Sequence, residues 1–255
     1  MTINLIKCCI AQEPGEILVS EDAGDPSLIE DIKELNCSKL KYYYQKVNLG
    51  LWQNHLFLLK KASKPYVKFM QTDDYLLPGA LQEMCREMKP GTSVVSVLPI
   101  YHNLDNDVKY INRILKNKIS LDSKEFLKRA RVRGNELGRP SNNLYKKDAL
   151  IQENEAWSND ISADYVANMI SGSKGNVVIL PHGKVVTGIH NQQDVKNQGF
   201  QLSFIRWQNT LSYLKNYGNL DIKKTIEVLS IVEFIAQIIN YRGFKRQNFS
   251  NDQKL

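Results

Sequence analysis

The stretch Tyr66–Ala80, YVKFMQTDDYLLPGA, decides the fold because a short β-rich run ends there at two adjacent carboxylates. Residues 66–70 have the apolar and aromatic content of a buried strand, and a Pro-Gly pair then begins a new element. Asp73 and Asp74 would repel each other at the end of that strand unless a cation lay beside them. The pair therefore predicts either a metal site or an Asx-type turn that caps the next helix.

Composition limits the class of protein. The chain has 255 residues and is 42% hydrophobic, enough for one large α/β domain with an appendage. Its net charge of +7 favours an anionic partner. The four cysteines show no C-x-x-C spacing, which predicts reduced thiols and no zinc site. With no export signal and no run of about 18 apolar residues, we expect a cytoplasmic protein.

The first hundred residues alternate between helix and strand. Helical spacing predicts helices over residues 2–11, 26–36, 48–62 and 81–88, and apolar runs predict strands over residues 16–20, 41–47, 66–70 and 93–98. Acidic residues follow two of these strands. This pattern is typical of an open α/β sheet whose ligand crevice lies at the strand ends.

The second half is less regular. Residues 103–133 predict a flexible insertion followed by a helix, whose Lys128, Arg129, Arg131 and Arg133 form either a solvated face or a contact for a phosphate-bearing acceptor. A helix through residues 164–170 and a strand over 176–180 follow, and then a loop from 181 to 190. Periodicity predicts two further helices, 200–217 and 221–241. The basic tail beyond them leaves peripheral membrane contact open.

Several blocks, taken together, resemble family 2 glycosyltransferases, the GT-A fold enzymes that move a sugar from a nucleotide donor to an acceptor hydroxyl. The blocks are ILVSEDAGD, the N-x-G-x-x-x-N stretch that ends at Asn54, FMQTDDYLLP, LGRPSNNLYKKDAL and SADY, in that order. The resemblance implies an α/β fold of the GT-A, Rossmann-like type, with an open, mixed, mostly parallel sheet flanked by helices. It assigns residues 1–199 to the glycosyltransferase domain and residues 200–255 to a C-terminal helical extension.

The resemblance also implies roles for residues on the donor side. Asp22 matches the acidic residue that hydrogen-bonds the nucleotide base, although a cap on its own loop is the simpler alternative. Asn54 falls in the nucleotide-sugar-binding block. Asp73 matches the position near the ribose and sugar, and Asp74 matches the ligand of a divalent metal, Mg²⁺ or Mn²⁺, at the donor diphosphate. Such a metal would stabilise the charge that develops on the leaving group.

On the acceptor side, Asp164 matches the general base of inverting enzymes, which removes a proton from the attacking hydroxyl. Asp160, four residues earlier, is the second choice, and an N-cap carboxylate is the alternative for either residue. His190 matches the histidine of an R-x-H element over the donor phosphates. Gly188 stands where the arginine would be, and this departure weakens a phosphate-clamp role.

The resemblance implies an inverting glycosyltransferase that uses a nucleotide-sugar donor, first of all a UDP-sugar, and a saccharide or lipid-linked acceptor in surface polysaccharide or glycoconjugate synthesis. No nucleic-acid partner is expected, since the net charge is the one feature that would favour nucleic-acid binding. A nucleotidyltransferase of related architecture is a further alternative, but the chain has no glycine-rich phosphate loop.

The start of the chain departs from the family pattern. Met1 falls where the helix after the family's first, central strand should begin. Either the given sequence lacks its true beginning, or the fold proceeds with a gap between central strands. With that strand missing, we expect poor stability or aggregation of this chain alone. The main rival to an active enzyme is a non-catalytic remnant that binds nucleotide weakly or not at all.

Overall fold

The computed structural model describes residues 2–24, 27–134, 136–157, 163–181, 184–191 and 200–231. The helices are α1 (Thr2–Ile10), α2 (Leu28–Glu34), α3 (Leu51–Lys61), α4 (Ala80–Glu87), α5 (Ser123–Arg133), α6 (Asn154–Trp157), α7 (Ala163–Ser173), α8 (Phe200–Asn216) and α9, described over residues 220–231. The strands are β1 (Ile17–Asp22), β2 (Leu40–Gln45), β3 (Tyr66–Val67), β4 (Tyr75–Leu76), β5 (Thr92–Val97), β6 (Ile100–Asn103), β7 (Val108–Tyr110), β8 (Ile119–Leu121), β9 (Asn143–Lys146), β10 (Asn176–Leu180) and β11 (Val185–Ile189).

The fold is α/β with open sheets, as predicted. The main sheet has the order β3-β9-β5-β10-β8, a second has the order β4-β11-β6-β7, and β1 and β2 form a pair. The pairs β1–β2, β5–β10 and β6–β11 are parallel, and the other described pairs are antiparallel. The sheets are thus open and mixed, as expected, but they are not mostly parallel: five of the eight described strand pairs are antiparallel, because β9 runs back between β3 and β5 and several short strands are added in antiparallel.

The main sheet separates two apolar layers. Along β10, Val177 and Ile179 pack into one core cluster with α7, whereas Val178 and Leu180 pack into another with α4. This alternation is what a strand covered on both faces requires, because successive side chains point to opposite sides. The sheet is therefore held between helices on both faces, and its strand ends are left to build the site.

Local sequence signals fix several helix ends. Gly50 precedes α3 with φ of 79°, and its N–H donates to Asn48 Oδ1 at 2.8 Å. Asp122 caps α5 by accepting from the Glu125 N–H at 2.8 Å, and Gly134 ends that helix at φ of 66°. These conformations suit glycine and the capping aspartate, so the boundaries follow from the residues present.

Three sequence expectations differ from the structure. The strand over 66–70 is paired only at Tyr66–Val67. Residues 103–133 contain β7 and β8 before α5, where an insertion plus a helix was expected. The predicted loop 181–190 is wrong for its second half, because Val185–Ile189 forms β11 between β4 and β6. Pro181 at the start of the segment and Gly188 within the strand concealed this short strand in the sequence.

A gap separates the β1–β2 pair from the main sheet. In the described part of the chain, β1 pairs with β2 only and β3 pairs with β9 only. Residues 16–21 and 64–73 both line one large cavity. The structure thus contains the interruption expected from the sequence, and two strand edges face the cavity.

The C-terminal helices pack on the rest of the fold. Their buried side chains belong to the same core cluster as α7 and β5, namely Leu211, Leu214, Ile222, Ile226 and Leu229. In the described ranges, none of the helices combines the length and apolar character needed to span a membrane. The predicted helix over 221–241 is described only as far as residue 231.

Candidate active site

The aspartate pair lies in the turn between β3 and β4. The Asp74 N–H donates to the Gln71 carbonyl at 3.0 Å, which closes the turn. The following helix, α4, has Gly79 at its N-cap and receives no side-chain cap. The aspartates therefore do not cap α4: Asp73 lines the large cavity, and Asp74 turns to the adjacent strand β11.

Asp74 is buried, with 2% of its surface exposed. Its Oδ1 accepts the Gly188 N–H at 3.0 Å, whereas Oδ2 and the neighbouring Ser141 Oγ are buried without a hydrogen bond of normal geometry among the described residues. Burial raises the pKa of Asp74 to about 6, although the Ser141 hydroxyl and the Gly188 N–H act in the opposite direction. Asp74 is thus a carboxyl group whose charge is incompletely compensated.

Asp73 is the more accessible of the pair and lines the large cavity. Its Oδ2 lies 4.0 Å from Arg139 Nη1 and 3.8 Å from His190 Nε2. The side chains of Asp73, Arg139 and His190 are 14%, 34% and 29% exposed. One carboxylate and two nitrogen-bearing side chains therefore meet at the cavity wall, where a phosphorylated ligand could contact them.

Gly188 makes this arrangement sterically possible. A Cβ at Gly188 would lie 2.3 Å from the Asp73 carbonyl oxygen, well inside normal contact. The same residue bonds Asp74 through its N–H, and its carbonyl accepts from Arg139 Nη1 at 3.2 Å. The departure from R-x-H noted in the sequence thus has a physical reason: position 188 has no room for a side chain, and Arg139 brings a guanidinium to this place.

Asp164 is the second residue of α7 and lines the same cavity. Its Oδ1 accepts the Tyr165 N–H at 2.8 Å. Burial raises the pKa of Asp164 to about 6, and the Tyr165 N–H and the charge of Arg139 limit the rise. A carboxylate that is partly buried, faces a cavity and has a pKa near 6 is suited to accept a proton at neutral pH.

A buried hydrogen-bond network ties Arg139 to α7. Asn168, one turn after Asp164, donates to the Gly138 carbonyl at 2.7 Å and accepts from Tyr145 Oη at 2.6 Å and from Asn143 Nδ2 at 3.0 Å. Asn143 also donates to the Arg139 carbonyl at 3.2 Å. The network fixes the loop that carries Arg139 relative to the helix that carries Asp164, so the two groups keep a constant relation.

Asp22 and Asn54 lie across the gap, near the start of α3. Asp22 accepts the Leu49 and Gly50 N–H groups at 2.7 and 2.9 Å, which is the loop-capping role. Asn54 Nδ2 donates to the Ser20 carbonyl at 3.4 Å, and its Oδ1 is buried without a partner among the described residues. Asn54 lines the cavity, so that oxygen is an acceptor that a ligand could satisfy.

Lys68 and Arg139 are site residues that the sequence did not single out. Burial lowers the pKa of Lys68 to about 7, while Asp74 opposes the fall. Its Nζ donates to the Ser141 carbonyl. The position of Lys68 in an apolar strand run was a usable signal, because a lysine that points inward from such a run needs a partner. Arg139 gave no signal beyond its place in the LGRPS block.

The aspartate pair fits a divalent cation that arrives with phosphate ligands. In the ranges that the structure describes, no group of three or more His, Cys, Asp or Glu side chains is placed to hold a metal ion. Asp73 reaches the cavity, and the unbonded Oδ2 of Asp74 is an oxygen that a cation would satisfy. Mg²⁺ commonly binds through one or two carboxylates plus substrate phosphates, so two carboxylates suffice only with the donor present.

The structure thus brings Asp73, His190 and Asp164 to one cavity of about 1340 Å³, with Asn54 on its opposite wall. Asp74 lies behind Asp73, and Asp22 contacts the loop before α3. Asp160, the second choice for the base, lies outside the described residues. The cavity exceeds the usual size of a ligand pocket because it joins the strand-end crevice to the gap between β1 and β3.

Comparison with known proteins shows what this chain is similar to in sequence and in fold. The sequence pattern of the family described as Glycosyl transferase family 2 matches residues 3–152. The crystal structure of S. aureus TarS is similar with a TM-score of 0.60 and 16% identity, over 89% of this chain and 40% of that one. The crystal structure of S. aureus TarS 1-349 gives a TM-score of 0.57 and 15% identity, over 88% of this chain and 73% of that one. No curated protein matches significantly.

Proposed function

The chain belongs to glycosyl transferase family 2, and from this premise we propose that it is a glycosyltransferase that transfers a sugar from a nucleotide-sugar donor, first of all a UDP-sugar, with inversion at the anomeric carbon. The acceptor is a saccharide or lipid-linked molecule in surface polysaccharide or glycoconjugate synthesis. The observation that carries the proposal is the convergence of Asp73, Arg139, His190 and Asp164 on one cavity.

Asp164 is the proposed general base. The acceptor oxygen attacks the anomeric carbon from the face opposite the leaving group, and the hydroxyl proton passes to the Asp164 carboxylate as the new bond forms. The bond to the nucleoside diphosphate breaks, and its electron pair leaves with the phosphate oxygen. Because the pKa of Asp164 is raised to about 6, the carboxylate is ionised near pH 7 and is a stronger base than an exposed aspartate.

Arg139 and His190 are the proposed contacts for the donor diphosphate. The Arg139 guanidinium donates to the Gly188 carbonyl, and its planar set of N–H groups suits the geometry of phosphate oxygens. Mg²⁺ or Mn²⁺ would be held by Asp73 and Asp74 together with the donor phosphates and would stabilise the charge on the leaving diphosphate.

Asn54 and Asp22 are the proposed contacts for the nucleoside. The unpartnered Oδ1 of Asn54 would accept a hydroxyl or N–H of the ligand. Asp22 uses one lone pair of each oxygen for backbone N–H groups, which leaves lone pairs for the N–H of a base such as uracil.

Asp164→Asn tests the assignment of the base. Turnover of the nucleotide sugar should fall by a factor of about 10² or more, while UDP binding in the presence of Mn²⁺, measured by calorimetry, should stay within about threefold of the wild type. The exposed Asp148→Asn variant removes a carboxylate outside the cavity and is the matched control. Normal turnover in Asp164→Asn would remove the role from Asp164.

The gap between β1 and β3 favours a second candidate, a non-catalytic remnant whose nucleotide pocket is incomplete. Calorimetry with UDP and Mn²⁺ separates the two, because the remnant gives no saturable heat. Saturable binding that Asp73→Asn removes would reject the remnant.

A further inference from the structure

A second, smaller cavity of about 290 Å³ lies beside the loop that carries Arg139. One part of its wall is apolar, from Leu98, Pro99 and Leu137, and another part is charged, from Arg113, Arg133 and Glu136. The cavity therefore offers both an apolar surface for the body of a ligand and a charged surface for one of its groups.

Three arginines converge on one carboxylate at this wall. Arg113 Nη1 lies 3.0 Å from Glu136 Oε1, Arg133 Nη1 lies 3.4 Å from the same oxygen, and Arg129 donates to both carboxylate oxygens. The Glu136 side chain is 4% exposed, whereas those of Arg113 and Arg133 are 34% and 51% exposed. Glu136 thus lies behind guanidinium groups that still face the cavity.

The charges of this cluster do not balance. Three guanidinium groups remain charged at any physiological pH, and Glu136 supplies one negative charge, so the cluster carries a surplus of two positive charges. Burial alone would raise the pKa of Glu136, but Arg129 and Arg113 hold it below its ordinary value, so the carboxylate is ionised. Among the described residues that line the cavity, Glu136 is the one acidic side chain.

The other two basic side chains between residues 128 and 133 have partners outside the arginine cluster. Arg131 donates to Thr225 Oγ1 at 3.1 Å and packs against α9. Lys128 lies 3.9 Å from Glu125 on the exposed face of α5. Of the four basic residues at positions 128, 129, 131 and 133, only Arg129 and Arg133 join the cluster. Arg113 joins it from the segment after β7. The cluster is therefore built by the fold and is not a solvated helix face.

The small cavity adjoins the proposed active site. Gly138 lines the small cavity, and the next two residues, Arg139 and Pro140, line the large one. The loop is thus the wall between them, and the network through Asn168 fixes it next to α7. A ligand group in the small cavity would lie on the far side of this loop from the donor site.

We propose that the arginine cluster binds a phosphate group of the acceptor, so that the acceptor is a phosphate-bearing saccharide. The identification of the bound molecule as the acceptor rests on the proposed function, whereas the anion site itself does not. Planar guanidinium groups bind phosphate through paired N–H donors, and the adjacent apolar wall accommodates the carbon skeleton next to it.

The test uses the whole chain and glycerol 3-phosphate as the probe, with glycerol as the phosphate-free control. Phosphorus NMR titration is carried out with and without saturating UDP and diamagnetic Mg²⁺, which separates the arginine cluster from the donor site. We expect wild-type protein to bind glycerol 3-phosphate but not glycerol, whether or not UDP is present. Displacement of the probe by UDP would place it in the donor site and overturn the proposal.

Arg113→Gln combined with Arg133→Gln should weaken probe binding at least tenfold. Arg129 is left in place to hold Glu136, and a melting curve close to that of the wild type verifies the fold. Arg133→Gln alone should give a smaller loss. Lys124→Gln combined with Lys128→Gln removes the same charge from exposed positions of α5 and should leave the dissociation constant within twofold.

Besides displacement of the probe by UDP, two outcomes would overturn the inference: no probe binding by the wild type, or equal loss in the arginine and lysine variants. If UDP with Mn²⁺ still binds in that case, the proposed function stands and only the phosphate site fails. If the probe binds at the arginines but UDP gives no saturable heat, the phosphate site stands and the proposed donor chemistry fails.

Discussion

For a substitution at Gly188, the structure and the family pattern predict opposite effects on donor binding. The R-x-H pattern suggests that an arginine at position 188 would improve a phosphate clamp. In the structure, a Cβ at this position would lie 2.3 Å from the Asp73 carbonyl oxygen, about 1.1 Å short of the 3.4 Å at which ordinary contact begins. Gly188→Ala and Gly188→Arg must therefore both displace the Asp73 turn or β11.

The magnitude follows from that displacement. A shift of about 1 Å in a positioning group can cost a factor of about 10² in turnover, and overpacking a filled site typically costs about 1–3 kcal/mol of stability. The shift also disturbs the hydrogen bond from Gly188 N–H to Asp74 and moves Asp73 away from His190. We expect both variants to be folded but less stable, with weakened UDP binding.

The assays are nucleotide-sugar turnover, UDP calorimetry with Mn²⁺ and thermal melting. Gly218→Ala is the control, because a Cβ there would meet nothing within 4 Å and its φ lies outside the positive range. If Gly188→Arg raised turnover or tightened UDP binding, the steric account of this position would be refuted and the family pattern upheld.

Three further predictions follow from the same residues. Turnover should fall about tenfold per pH unit below about pH 6, where Asp164 becomes protonated, and a rate that is flat from pH 7 to pH 4.5 would exclude Asp164 as the base. Above pH 6, Asp74→Asn should raise the melting temperature and increase the unfolding free energy by up to roughly 3 kcal/mol, because the buried carboxyl has a raised pKa and its ionisation disfavours the folded state. This gain in stability should vanish below about pH 4, where the carboxyl is protonated in both states. Metal-dependent UDP binding should be lost at every pH. The chain alone should self-associate through the edges of β1 and β3, and a monodisperse monomer with a cooperative melt, seen by light scattering and calorimetry, would contradict this.

Much of the architecture could be predicted because it follows from local patterns. Helical spacing located α1, α3, α4 and α7, and apolar runs located β1, β5 and β10. The sequence also placed two site residues at the ends of predicted elements: Asp73 follows the apolar run that begins with β3, Asp164 lies at the start of α7, and both line the large cavity. Such residues converge because open α/β sheets place their strand ends on one side.

Other features depend on contacts that are distant in the chain. That Asp74 turns inward to Gly188, 114 positions later, could not be read from the DD pair. Arg139 reaches Asp73 only because Asn168 and Asn143 fix its loop. The three-arginine cluster at Glu136 draws Arg113 from outside α5. Long-range pairing of this kind has no periodic signature, so only the folded structure shows it.

Proton NMR of a panel of nucleotide sugars incubated with the chain and Mg²⁺ is the most direct test of sugar transfer with inversion. Water serves as the acceptor when no other is supplied, so early time points report the configuration of the released sugar. If the chain transfers sugar with inversion, at least one UDP-sugar is consumed with the opposite anomer formed first, and Asp164→Asn abolishes the reaction. Release of a sugar with retained configuration, or no consumption of any nucleotide sugar, would contradict it.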